Sequence, residues 1–244
     1  MSNVTARVIS TVSPSARAAG FWAATLATAF SIFYSVAQIA EWLGWLGSAG
    51  GPESSSTPLG IFVLLTPSLL LGSSFLILVA AIHVVAPPER RIWSLAAFGF
   101  ATIYAALISI NYYVQLAWVG PRLVEGRVAG MEPFLFVPFD SFLYAVDILG
   151  YSFMSVSTLL AAMVFTGHGL ERVARWFLIA NGFVLPFLLF QMYVHSLIWV
   201  AAIWAITFPG STWTLAALFR RMQVSSSPAP EREDVPSYLR VVAN

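Results

Sequence analysis

The residue best suited to chemistry in this chain is Asp147, a carboxylate inside an apolar run of spanning length, Phe142–Thr166. It stands roughly 8 Å inside the start of that run at about 1.5 Å per helical residue. A charge at mid-bilayer costs about 2.5–3.5 kcal/mol on insertion scales, so such a group faces a bundle interior and has a partner there. Helical spacing supplies candidates. Tyr144, Asp147, Tyr151 and Thr158 share one face. On another run Tyr104, Asn111, Gln115 and Trp118 share a face, and on a third so do Ser31, Tyr34, Gln38, Glu41 and Trp45. Gln191 and His195 lie four residues apart on a further run.

Two kinds of chemistry suit these residues. The eight side chains Gln38, Glu41, Asn111, Gln115, Asp147, Tyr151, Gln191 and His195 are candidates for binding a small solute. Alternatively, Asp147, Glu41 and His195 are acid–base candidates for a membrane-embedded enzyme acting on a lipid-like substrate. A non-catalytic accessory subunit is the third possibility. Each residue also has a plainer reading. Glu41 is one turn from its helix end and within reach of water. His195 suits a loop, Asn111 and Gln115 suit interhelical hydrogen bonds, and Asp147 suits a structural one. Binding or transport ranks first because no catalytic motif is present. There is no His-Glu-x-x-His zinc site and no phosphate loop. Gly72, Ser73 and Ser74 lack the second glycine of a Gly-x-Ser-Gly protease motif. His83 and His168 are isolated, and no metal or cofactor is expected.

The elements that position these side chains are six. Only 9% of the 244 residues are charged and 59% are hydrophobic, against roughly 25% charged in a soluble domain. Runs at Gly20–Trp42, Leu59–Ala86, Ile92–Trp118, Phe142–Thr166, Trp176–Val194 and Leu197–Phe219 each meet the roughly 20 residues a spanning helix needs. The fold class is therefore all-α, a polytopic transmembrane bundle. The break at Gln191–Ser196 is the weakest, and five spans with one long bent helix is the alternative. Residues 1–19 form an N-terminal tail, 20–221 the bundle, and 222–244 a Ser-, Pro- and acid-rich tail expected to be disordered. Within the third loop, Gly120–Ser141, the stretch from Met131 to Asp140 carries two prolines and a cluster of phenylalanines. It suits either a re-entrant or interfacial segment or a loop packed on the helix ends.

All 12 basic residues are arginine. Ten fall in the tails and the second and fourth loops; only Arg122 and Arg127 fall in the third loop. The positive-inside rule then puts both termini in the cytoplasm and makes the expected location the inner (plasma) membrane. The net charge of +1 gives no case for nucleic acid. With no cysteine, disulfides and thiolate ligands are excluded. The expected partners are the lipid bilayer and a small solute or lipid-like ligand; composition does not address oligomeric state.

Three pieces of the chain carry a resemblance. They are Asn111 to Gln115 (Asn-Tyr-Tyr-Val-Gln), Asp147 to Tyr151 (Asp-Ile-Leu-Gly-Tyr), and Gly169 to Arg172 (Gly-Leu-Glu-Arg) ahead of Trp176. In these the middle of the chain resembles a group of uncharacterised bacterial multi-pass membrane proteins. The resemblance covers helices three to five and implies the same topology. That group is expected to have an acidic pair before Leu-Gly-Tyr, whereas here Asp147 follows Val146.

Overall fold

The computed structural model describes residues 12–223, and the tail from Val224 and residues 1–11 lie outside them. Six helices are long and apolar enough to cross a membrane, the architecture of a multi-pass membrane protein. They contain α1 (Pro14–Trp42), α2 (Pro58–Val85), α3 (Arg91–Val114, within the spanning segment Pro88–Val124), α4 (Phe142–Ala162), α5 (Leu170–Phe190) and α6 (Trp204–Arg221, within the spanning segment His195–Arg221). No strand ladder occurs among the described residues.

Local chemistry sets the helix ends. The Ser13 side chain accepts from Ala16 N at 3.2 Å, and Pro14 fills the first turn, a favoured pairing of cap and proline. This starts α1 six residues ahead of the expected Gly20, inside the expected tail. At the other end Gly44 takes φ +74°. Gly44 N donates to Glu41 O and Trp45 N to Ala40 O, each at 2.9 Å, the paired bonds of a Schellman stop. The third helix does not stop at Trp118. It passes through a π-helical turn, Gln115–Val119, into a short helix, Gly120–Val124. The fifth begins at Leu170 rather than Trp176, so Arg172 and Arg175 are helical. It ends at Phe190, and the turn after it separates α5 from a short helix, Ile198–Ala201, that leads into α6.

The helices form a closed ring in chain order. Each packs on its sequence neighbour, and α6 returns to α1. An even number of crossings brings the first and last helices to one end. Val12 N donates to Gln223 O at 3.1 Å, and an Arg17 guanidinium N–H donates to Arg220 O at 3.0 Å. Arg90 donates to Met163 O, where α4 runs out, at 2.5 Å. That links the second loop to the turn after α4. At the opposite end the first and third loops are tied together. Ser56 Oγ donates to Val137 O at 3.1 Å and accepts from Val137 N at 2.9 Å.

The ring is apolar outside and polar within. Phe62, Ile110, Trp176, Phe183, Ile206 and Trp213 are exposed, while Ser31, Ser68, Asn111, Asp147, Thr158 and Asn181 are buried. A soluble bundle reverses that sorting. Close approach of helices depends on small residues: Gly150 faces Ile108 and Leu107 of α3, and Gly182 faces Leu159 of α4, the use of small residues typical of membrane bundles. Prolines interrupt α2 at Pro67 and α6 at Pro209. Each removes an intrahelical bond, which a buried position inside a bundle tolerates.

Candidate functional site

Asp147 is 2% exposed and points into the ring. Asn111 Nδ2 donates to its Oδ1 at 3.4 Å, and the Tyr112 hydroxyl lies beside the same carboxyl. One turn along α4, the Tyr151 hydroxyl accepts from Tyr112 Oη at 3.4 Å. Tyr151 also lies within reach of Ser68 on α2. Tyr144, one turn the other way, accepts from Gln191 Nε2 at 3.1 Å. Tyr34 on α1 accepts from Gln38 Nε2 at 2.6 Å. Five tyrosines, Tyr34, Tyr104, Tyr112, Tyr144 and Tyr151, fall within the electrostatic reach of Asp147. The chain has eight tyrosines; Tyr113 and Tyr193 are exposed and Tyr238 lies outside the described residues.

The cluster continues into a closed cycle of rings. Tyr104 meets Tyr151 at 5.6 Å between centroids, Tyr151 meets Trp204 at 5.5 Å, and Trp204 stacks on Phe208 at 5.2 Å. Phe208 meets Phe75 at 5.6 Å, and Phe75 returns to Tyr104 at 5.7 Å. Four helices supply these rings: α2, α3, α4 and α6. Tyr34 extends the cycle to α1 by an edge contact with Trp204 at 5.9 Å. Offset and edge-to-face geometries of this kind favour a fixed arrangement of the rings.

The electrostatics are one-sided. Among the described residues Asp147 has no Arg or His nitrogen within 4 Å; the one ion pair there joins Arg127 to Glu125 in the third loop. The buried amide oxygens Asn111 Oδ1 and Gln191 Oε1 also lack a donor. Asn111 presents its NH₂ to the Asp147 carboxyl. No group of three His, Cys, Asp or Glu suited to a metal occurs among the described residues.

A cap covers the cluster at the end formed by the first and third loops. Phe136 is 1% exposed and packs against Tyr112 at 6.1 Å and Tyr144 at 5.7 Å between centroids. Gln115 holds the cap from below, its Nε2 donating to Phe134 O at 2.5 Å. The π-helical turn begins at Gln115, and such turns re-aim side chains and recur at functional sites. The third loop thus packs on the helix ends, and its only helical turns are Gly120–Val124 and Glu132–Phe134.

Compared with known proteins, the chain matches no family model, no curated protein and no solved structure. Geometry alone therefore sorts the eight sequence candidates. Asn111, Asp147 and Tyr151 share one network through Tyr112, while Gln191 pairs with Tyr144 and Gln38 with Tyr34 in separate bonds nearby. Gln115 serves the cap. Glu41 and His195 stand apart. Glu41 is buried, but it accepts from Ser48 in the first loop and faces Gly60 in the first turn of α2. His195 is exposed in the turn before α6. Trp45 lies past the end of α1 and is exposed.

Spacing alone missed Tyr112, Trp204, and a second network in which Asn181 Nδ2 donates to Thr158 Oγ1 and Thr207 Oγ1 donates to Asn181 Oδ1, both at 3.2 Å. The amide of Asn181 in an otherwise apolar run was the available signal.

Proposed function

We propose that this membrane protein binds a small solute at the Asp147 cluster and moves it across the bilayer. The observation that carries the reading is a buried carboxyl on α4, held by Asn111 and Tyr112 of α3, with no cationic partner among the described residues. Ionisable groups inside a bundle mark solute or ion pathways by default. Pockets between the helices of a bundle are a common place for ligands. The cap formed by Phe134 to Phe139 supports controlled access from the end where the first and third loops meet. The arginine distribution supports a plasma-membrane location with both termini in the cytoplasm, so that the cap faces outward.

An acid–base enzyme is less well supported. The acid–base partners that the spacing offered for Asp147 are both elsewhere: Glu41 turns to the first loop and His195 to the surface.

The test is reconstitution. Purified protein in liposomes is assayed for uptake of a panel of radiolabelled small solutes, anionic, neutral and cationic, beside Asp147→Asn. At least one solute is expected to accumulate with the wild type and not with Asp147→Asn. Equal uptake by both proteins for every solute would defeat the proposal.

A further inference from the structure

We infer that the solute is a small organic monocation carrying an ammonium group. The inference rests on the solute-binding reading and assigns its chemistry. Three independent features of the cluster agree. The first is charge: Asp147 is a single carboxyl, buried, with no Arg or His nitrogen within 4 Å among the described residues. A bound monocation supplies the missing partner, and an anion would repel it.

The second is hydrogen-bonding character. Asn111 Oδ1 and Gln191 Oε1, each in a residue no more than 2% exposed, are acceptors with no donor. Unpaired buried acceptors are costly, and what complements them is a group rich in N–H donors or a diffuse positive charge.

The third is the lining. Tyr151, one turn from Asp147, belongs to the ring cycle of Tyr104, Tyr151, Trp204, Phe208 and Phe75 that packs beside the cluster. Aromatic faces attract ammonium groups through the ring quadrupole, and cages of such rings recognise methylated ammonium. A divalent cation takes about six or more oxygen ligands and more than one negative charge; here there is a single carboxyl. An alkylammonium, weakly hydrated and with apolar flanks, fits both the charge and the walls.

The experiment uses the full chain purified in detergent, with binding read by calorimetry and by thermal stability. The probes are methylammonium, tetramethylammonium and choline, with dimethylbutanol as the neutral isostere of choline, sodium chloride as the hard cation, and acetate as the anion. Choline or one of the two simpler ammoniums is expected to bind, and choline at least about tenfold more tightly than its isostere. Asp147→Asn is expected to weaken ammonium binding by at least about tenfold. Tyr151→Phe, which keeps the ring, should retain affinity within about threefold, whereas Tyr151→Leu should not. Equal binding of choline and dimethylbutanol, or a response to sodium alone, overturns the inference. So does an Asp147-dependent response confined to neutral or anionic solutes, which leaves the solute-binding reading standing. No response to any probe, in a wild-type protein that also takes up nothing in liposomes, removes both.

Discussion

Asn111 on α3 donates its amide to the Asp147 carboxyl on α4 at 3.4 Å, so the buried carboxyl in the ring's interior is held across a helix–helix seam. Removing the donor leaves the carboxyl with the Tyr112 hydroxyl alone. Asn111→Leu is expected to destabilise the bundle by about 1–3 kcal/mol, the cost of an unsatisfied buried group. The measurement is the thermal midpoint in detergent. A midpoint equal to that of the wild type would mean that the α3–α4 contact carries no energy.

Phe136 closes the bundle over Tyr112 and Tyr144. If the cap controls entry, shortening its anchor should expose the interior. Ser68 is fully buried on α2 beside Tyr151, and the chain contains no native cysteine. A Ser68→Cys protein should therefore react slowly with a small water-soluble maleimide. Adding Phe136→Ala should raise that rate by about tenfold or more, on the scale of the packing energy that a buried Phe→Ala removes. An unchanged rate would place the entry route elsewhere.

The same absence of cysteine makes the topology readable. Ser55 in the first loop and His168 in the fourth are both exposed; Ser54, beside Ser55, is buried and would report poorly. In intact cells an impermeant thiol reagent should label Ser55→Cys, and should label His168→Cys only after lysis. The reverse pattern would invert the orientation inferred from the arginines.

A packing prediction follows from α4 and α5. A Cβ at Gly182 would run into the Leu159 side chain, whereas one at Gly99 would meet nothing within 4 Å. Gly182→Leu should destabilise by about 1–3 kcal/mol, as overpacking does, while Gly99→Ala should be neutral or slightly stabilising. Thermal unfolding of the two variants side by side decides it. Equal midpoints would contradict the close α4–α5 approach.

Much of this architecture is legible before any coordinates. The six apolar runs become the six spans because a bilayer-length hydrophobic stretch leaves the backbone no alternative to a helix. The four-residue step from Asp147 to Tyr151 survives as a shared inward face for the same reason of period. Failures occur where period stops governing. Glu41 keeps helical phase with Tyr34 and Gln38, yet the Schellman stop at Gly44 lets the first loop fold back, and Ser48 captures the carboxylate. His195 keeps phase with Gln191, but the helix ends at Phe190. The cap and the ring closure of α6 on α1 depend on contacts between residues far apart in sequence, such as Thr28 Oγ1 donating to Thr212 Oγ1 at 2.7 Å. It is the packing of the ring cycle and of the cap that places Trp204 and Tyr112 in the core.

The central claim is that Asp147 serves a ligand rather than helix packing alone, and a pair of substitutions separates the two. Asp147→Asn keeps shape and hydrogen bonding but removes the charge; Asp147→Leu removes both and strands Asn111. The decisive measurement is thermal stability of wild type, Asp147→Asn and Asp147→Leu in detergent, with and without the solute that stabilises the wild type. The account predicts that Asp147→Asn unfolds within a few degrees of the wild type and loses the solute-induced shift, while Asp147→Leu unfolds earlier. A full solute shift retained in Asp147→Asn would contradict it.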